Sequence, residues 1–351
     1  MTIQVGDKVI LIPNGRGGYT AEKIIPPGVG DKTLLIPNGR GGYTAIKMSV
    51  PSTGDKVIAF EERGKIILYP GWEAVECPLW CDTDGINIYT TSAFRNLDGS
   101  RTYKQTSLTK WNCTDLSIVS RIPLDDWYEY PLNISGDYLY MFKYMWSKNF
   151  YIEKVDKSTL NILSSTYIPM GTSYGDFPGK IGFHIEGEYF YHYHFTTPDV
   201  GASAYLIMKR ALSDYSLIGS RYVIDWHTPY VHAGGLTIGD AEPKCIYDRL
   251  DNEINRHDTT TLNKITPDIN IGYCLNDIES LDGFYYATTA DNKILKITPT
   301  FTIAKEITGL GQPWGICGAG NSIYVVDLGG HLTRYNTDLE LITTRRTPVY
   351  P

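Results

Sequence analysis

The segment CDTDGINIYTT, Cys81–Thr91, couples a tight acidic turn to a short aromatic strand, and five relatives of it follow down the chain. They read NISGDYLYMFK (Asn133–Lys143), HIEGEYFYHYH (His184–His194), IGDAEPKCIYDR (Ile238–Arg249), IESLDGFYYATT (Ile278–Thr289) and CGAGNSIYVVD (Cys317–Asp327), the third of these five being the poorest match. Behind each comes a second unit of strand, polar turn and strand: LTKWNCTDLSIVS, IEKVDKSTLNILS, IMKRALSDYSLIGS, INRHDTTTLNKIT, ILKITPTFTIAKEI and LTRYNTDLELITT. Aromatic and β-branched residues suit a pleated, half-buried surface, and Gly, Asn and Asp supply the turns. Each repeat is therefore four antiparallel strands, at a period of about 40–50 residues. No helical stripe interrupts them.

A single twisted sheet can cover its apolar faces only against neighbours, and closing a ring of sheets leaves only short edges to protect. The sequence thus predicts an all-β chain with a six-bladed β-propeller over residues 70–351. Leu341–Val349 completes the sixth blade from its own segment, so closure needs no strand from the chain start. A seventh blade would require Lys56–Tyr69 to insert into the ring. The motif IYVVD, Ile323–Asp327, with the LTRYNTDLELITT behind it, resembles the NHL and YVTN-type propeller repeats. The resemblance covers blades one, two, five and six better than three and four. It implies the fold and brings no catalytic residue set, because such propellers host many activities.

Residues 1–69 carry a different period. VGDKVILIPNGRGGYTAEK from Val5 returns almost verbatim as VGDKTLLIPNGRGGYTAIK from Val29, and TGDKVIAFEERGKIILYP from Thr53 is a worn third copy. Each copy reads as a β-hairpin: a β-rich run, a glycine-bearing turn and a return strand. A lone hairpin is marginal in water, so the three must stack on something, whether each other, the propeller or other chains. These repeats resemble the tandem GDKV…GGYTA hairpins of structural proteins of tailed bacterial and archaeal viruses. The resemblance implies an N-terminal β-hairpin-repeat stalk that engages an assembly partner or further copies of itself, and hence an oligomer.

Composition narrows the function classes. The net charge is -7 and no run of Lys or Arg stands out, which argues against nucleic acid as a partner. The start MTIQVGDKVILIP does not read as a secretory signal, and nothing approaches the roughly 18 apolar residues of a membrane span, so no membrane insertion is expected. Six cysteines permit three disulfides, but as a set they read first as small buried hydrophobes. Asn112-Cys113-Thr114 and Asn133-Ile134-Ser135 match the glycosylation sequon.

Candidate ligand contacts come from the loops that link each outermost strand to the next innermost strand. These loops are expected at Pro70–Trp72, Asp125–Tyr130, Tyr174–Pro178, Asp225–Tyr230, Thr266–Asn270 and Gly311–Trp314, all on one face. Trp72, Trp127, Tyr130, Tyr174, Phe177, Asp225, Trp226, His227, Tyr230 and Trp314 are the candidate binding residues. Rings stack on sugar C–H faces and carboxylates accept hydroxyl protons, so this mix suits a glycan; Tyr and Trp suit a protein partner equally. The competing expectation is that such aromatics simply wedge between blades. His192 and His194, two apart on a strand and so on one face, form a weak candidate metal pair. The turns Asp82-Thr83-Asp84-Gly85 and Asp251-Asn252-Glu253 lack the spacing of a calcium loop and read as solvated turns.

No GxSxG, HExxH or phosphate-binding loop occurs, and no cofactor is expected. The sequence points to a non-enzymatic binding or structural protein, a virion-associated or surface fibre or spike component. Its propeller face would meet a glycan or protein receptor, placing it on a virion or at a cell surface. The alternatives are a propeller glycosidase or polysaccharide lyase using loop carboxylates, and a subunit of an extracellular sheath or filament.

Overall fold

A computed structural model describes the backbone of residues 9–13, 19–23, 31–37, 43–49, 59–62, 65–68, 75–95, 101–124, 131–145, 149–168, 182–196, 203–225, 236–238, 245–250, 253–309 and 311–347, with most side chains from residue 76 onward. The chain divides into two units, Met1–Ala74 and Val75–Pro351. In the first, each sequence repeat contributes one antiparallel pair. β1 (Val9–Pro13) pairs with β2 (Tyr19–Lys23), β3 (Asp31–Pro37) with β4 (Tyr43–Ser49), and β5 (Ala59–Glu62) with β6 (Lys65–Leu68).

The second unit consists of six four-stranded antiparallel sheets, each strand paired with the next in sequence. Blade 1 holds β7 (Val75–Thr83), β8 (Asn87–Arg95), β9 (Arg101–Asn112) and β10 (Ile118–Pro123). Blade 2 holds β11 (Leu132–Ser135), β12 (Tyr138–Met145), β13 (Asn149–Asp156) and β14 (Ile162–Ile168), and blade 3 holds β15 (Gly182–Glu186), β16 (Tyr189–Thr196), β17 (Ser203–Ala211) and β18 (Leu217–Asp225). In blade 4, β19 (Leu236–Ile238) is short and precedes β20 (Cys245–Leu250), β21 (Glu253–Asp258) and β22 (Lys264–Asn270). Blade 5 holds β23 (Leu275–Leu281), β24 (Phe284–Thr289), β25 (Ile294–Ile297) and β26 (Ile303–Ile307), and blade 6 holds β27 (Pro313–Ala319), β28 (Ser322–Asp327), β29 (His331–Asn336) and β30 (Leu341–Arg346).

The first strands of successive blades adjoin one another, and β27 returns to β7, which closes a ring of six. Blade 6 is built wholly from its own segment, while β5 and β6 pair only with each other.

The core lies between the blades. One apolar cluster joins Tyr89 and Leu108 of blade 1 to Leu139 and Met141 of blade 2, and another joins Tyr140, Phe142 and Ile152 of blade 2 to Phe183, Phe190 and Met208 of blade 3. Ile254 meets Leu275 and Tyr285, Tyr286 meets Ile316 and Ile323, and Ile88 and Trp111 meet Tyr324 and Leu332 at the closure. Each sheet therefore buries its faces only in the presence of its neighbours.

Two sequence devices recur in every blade. The first is the turn between third and fourth strands, whose last residue adopts the left-handed conformation: Leu116, Leu160, Tyr215, Leu262, Phe301 and Leu339. A non-glycine residue there costs roughly 1–2 kcal/mol. The cost is offset locally, since Leu116, Leu160, Leu262 and Leu339 are buried and a polar residue at the turn's start caps the amides that follow. Asn112, Asp156, Asp258 and Asn336 play that capping role through their side-chain oxygens.

The second device is a directly opposed Tyr and basic residue on strands two and three: Tyr89 and Lys110, Tyr140 and Lys154, Tyr191 and Lys209, Tyr247 and Arg256, Tyr286 and Lys296, Tyr324 and Arg334. In blades 1, 3, 5 and 6 they reach the outer turn of the next blade, whereas Arg256 of blade 4 donates to the Pro267 carbonyl of its own blade. Lys110 donates to the Lys157 carbonyl, with Tyr89 Oη 3.5 Å from the same oxygen and 3.2 Å from the Asp84 carboxylate of its own blade, and Tyr191 and Lys209 donate to the Thr259 carbonyl. Tyr286 donates to the Thr337 carbonyl, with Lys296 on the Asp338 carboxylate. At the closure Tyr324 donates to the Cys113 carbonyl and Arg334 to that of Thr114. The rings also carry the cations, with Lys110 Nζ 5.7 Å from the Tyr89 ring centre and Lys209 Nζ 5.6 Å from that of Tyr191.

Candidate functional site

The antiparallel order sorts the connections onto two faces. Links between strands one and two and between strands three and four emerge on one face; they are short except in blade 4, where residues 239–244 part the first two strands, and this face carries the Tyr–Lys clasps. Links between strands two and three, and from each blade to the next, emerge on the other. The second set includes the longest segments, residues 124–131, 169–181, 197–202 and 226–235. Loops of unequal length on a rigid scaffold are where binding residues concentrate.

Most of the candidates read from sequence fall in those segments. Trp72, Trp127, Tyr130, Tyr174, Phe177, Trp226, His227 and Tyr230 lie outside the described residues, as do the side chains of Asp225, the last residue of β18, and His194. Two expectations are corrected. Thr266–Asn270 is not a loop but the greater part of β22. Trp314 is not on the rim: it is the second residue of β27 and packs with Cys77, Leu79, Trp80 and Ala93 between blades 6 and 1. Gly315 permits this approach, because a Cβ there would lie 2.6 Å from the Leu79 carbonyl oxygen.

His192 is also a core residue. Its ring centre is 4.9 Å from that of Phe142 and 5.6 Å from that of Phe190, and Arg210 Nε donates to its Nε2 at 3.3 Å. A nitrogen facing a guanidinium is not a metal ligand. Among the described residues no group of three His, Cys, Asp or Glu side chains is gathered as a metal would require.

The Asp82 turn is likewise not simply solvated. Asp82 Oδ1 accepts from the Thr83 amide and its Oδ2 from the Ile134 amide, each at 2.7 Å, the second bond crossing from blade 1 to blade 2. Burial pushes this carboxyl up to about 7 despite the two amide donors. Asn133 holds the corresponding place in the next junction, with Oδ1 accepting from Ile185 N at 3.0 Å. Asp84 caps Ile86 and Asn87 and pairs with Lys157, which keeps its own carboxyl below the usual range despite partial burial.

On the loop face the structure adds polar groups that the sequence did not single out. Asp327, at the end of β28, sets both carboxylate oxygens 3.1 Å from His331 Nδ1, at the start of β29. This hydrogen bond raises the imidazole above its ordinary range against the opposing effect of burial. The dyad leaves Nε2 as the nitrogen directed away from Asp327, on a side chain 39% exposed. Two glycines crowd it, since a Cβ at Gly311 or Gly329 would come within 3.2 Å of the dyad, and Gly330 in the same turn takes a left-handed φ of 83°.

One blade away, Tyr273 Oη and Lys293 Nζ both donate to Glu306, at 2.7 and 2.9 Å. Toward the loop ends of blades 1 and 2, Glu76 pairs with Arg121 and Lys143 with Glu153. The one local signal available in sequence was the spacing Asp327-Leu-Gly-Gly-His331, a carboxylate and an imidazole flanking a Gly-Gly turn. Chemically the face offers oriented donors and acceptors of both signs.

No protein-family model and no curated protein matches the chain. Solved structures that match include BamB from Moraxella catarrhalis, at 13% identity and a TM-score of 0.39, covering 90% of each chain. The computationally designed protein Ika8 matches at 7% identity and a TM-score of 0.43, over 78% of this chain and 89% of that one. Kluyveromyces lactis Hsv2 matches at 8% and 0.43, over 76% and 75%. At these values no residue correspondence can be drawn, and the six-bladed assignment rests on the sheet order and the closed ring of inner strands.

Proposed function

We propose that this protein is a non-enzymatic binding protein whose propeller takes a glycan or protein receptor on its loop face, and whose N-terminal hairpins join it to a larger assembly. The observation that carries the reading is the asymmetry between the two faces. One is tied blade to blade through Tyr and Lys or Arg side chains onto main-chain carbonyls; the other bears the long aromatic and acidic segments and the Asp327–His331 pair. A scaffold fixed on one side and elaborated on the other is the arrangement by which propellers present ligand contacts. The near-verbatim repeats of Val5–Lys23 and Val29–Lys47 suit equally spaced attachment by strand addition, as in a virion-associated or cell-surface fibre or spike.

The test is a glycan array and a panel of purified surface proteins probed with full-length protein, beside Trp226→Ala/Tyr230→Ala and Asp225→Ala. Saturable binding that these changes abolish while thermal unfolding stays unaltered supports the proposal. Polysaccharide turnover that depends on Asp225, with no equilibrium binding to any arrayed glycan or protein, overturns it in favour of a hydrolase or lyase.

A further inference from the structure

The junction between blade 6 and blade 1 differs from the others in one respect. It closes the ring, and it holds four of the five described cysteines: Cys77, Cys81, Cys113 and Cys317. Cys274, the fifth, lies elsewhere, at the entry to blade 5. No strand is exchanged across this junction, and no loop leads from one of its blades directly into the other, as happens at the other five. The chain joins them only the long way round, through all the intervening blades.

Cys81 is on β7 and Cys317 on β27, the two adjoining inner strands. Both are buried in one apolar cluster with Ile88, Trp111, Tyr324 and Leu332. The Cys81 sulfur lies 4.0 Å from the carbonyl oxygen of Tyr324, the residue directly paired with Cys317, and the two thiols share a hydrogen bond. The other two seam cysteines face different partners. Cys77 Sγ bonds the Leu328 carbonyl at 2.9 Å in the neighbouring cluster, and Cys113 Sγ faces Thr83 Oγ1 at 3.4 Å.

We propose that Cys81 and Cys317 form a disulfide that locks the first blade to the sixth when the protein folds in the presence of a disulfide oxidant. The chemistry is thiol–disulfide exchange with a low-molecular-weight disulfide. One thiolate attacks a sulfur of the oxidant, giving a mixed disulfide and expelling one small thiolate. The second cysteine thiolate then attacks the protein-bound sulfur and expels the other. Two protein thiols lose two protons and two electrons, and the oxidant becomes two small thiols. Burial raises both thiols, that of Cys317 well above its ordinary range, so exchange belongs to the interval before the seam seals, and the finished bond is shielded from reductant. A link of such span restricts the unfolded chain more than a short one would.

The experiment is refolding of full-length protein from denaturant with oxidised glutathione, alkylation of remaining thiols, and peptide mapping by mass spectrometry. The expected result is a peptide joining Cys81 to Cys317 and a higher guanidinium midpoint than for thiol-reduced protein. That difference should vanish in Cys317→Ala and persist in Cys113→Ala. Mapping the unmutated chain needs no variant to fold. Recovery of Cys81 and Cys317 both alkylated after oxidative refolding overturns the proposal, as does a Cys81–Cys113 or Cys77–Cys81 link.

Discussion

Asp82 makes the pH dependence of the blade 1 to blade 2 junction calculable. Its carboxyl stands at about 7 in the folded protein against 3.8 as an ordinary aspartate, with burial as the main cause. Below pH 3.8 both states hold the proton and the group contributes nothing. Between 3.8 and about 7 the unfolded chain releases the proton while the folded one retains it, so stability falls as pH rises; above 7 the loss is complete. At about 1.4 kcal/mol per pH unit, that interval sets the penalty at no more than about 4 kcal/mol.

Asp82→Asn removes the charge and keeps an acceptor for Ile134 N, as Asn133 does one blade on. The amide group then faces the Thr83 amide, which gives up a hydrogen bond worth about 1 kcal/mol. The variant is therefore expected to be more stable than the parent by about 2–3 kcal/mol at pH 8 and slightly less stable at pH 4. Urea unfolding of both proteins at four pH values from 4 to 8.5 reads the difference directly. A parent-to-variant difference that stays constant across that range would refute the reasoning.

Other outcomes follow from single contacts. Tyr191→Phe removes the donor to Thr259 O and should cost about 1 kcal/mol in urea unfolding, with a larger effect in a Lys209→Met background because that carbonyl then keeps neither of its two donors. Gly315→Ala drives a Cβ to within 2.6 Å of the Leu79 carbonyl and 2.9 Å of Val326 Cγ2, and should destabilise by about 2 kcal/mol or more, measured by calorimetry. Trp111→Phe leaves Thr90 Oγ1 without its donor in a fully buried site and should cost about 2–3 kcal/mol in the same assay. Asp327→Asn should bring the His331 titration down toward its ordinary value by NMR. The stability this pair supplies is present below pH 6.5 and lost as pH rises through the raised folded value, so the variant should match the parent above that point.

The propeller was legible because its signal is local. The turn and aromatic strand that open each blade lie within about a dozen residues of one another, and their sixfold return is readable without knowing any partner. Blade 4 was the weakest in sequence and is the one whose inner strand is only Leu236–Ile238.

What sequence could not supply were contacts between distant segments. Trp314 lies beside a loop in the chain but meets Trp80, more than two hundred residues earlier, because Gly315 lets β27 close onto β7. The strand spacing of His192 and His194 suggested a pair, yet the partner that decides the role of His192 is Arg210 on the next strand. The acidic turn at Asp82 looked open because the amide that encloses its carboxylate belongs to Ile134. Local pattern thus fixes strands and turns; who faces whom across a junction has to be seen.

The tyrosine and basic pairs bear on how such a ring can change over time. At four of the six junctions the clasps grip main-chain carbonyls, with two carboxylates taking part beside them, Asp338 for Lys296 and Asp84 for Tyr89. A carbonyl is the same whatever residue carries it, so a blade can substitute nearly all of its outer turn without losing its neighbour's grip. The seam uses the same grip as the interior junctions. The outer turns held this way are therefore free to drift apart in sequence, and the chain could begin at another blade by circular permutation with these clasps intact.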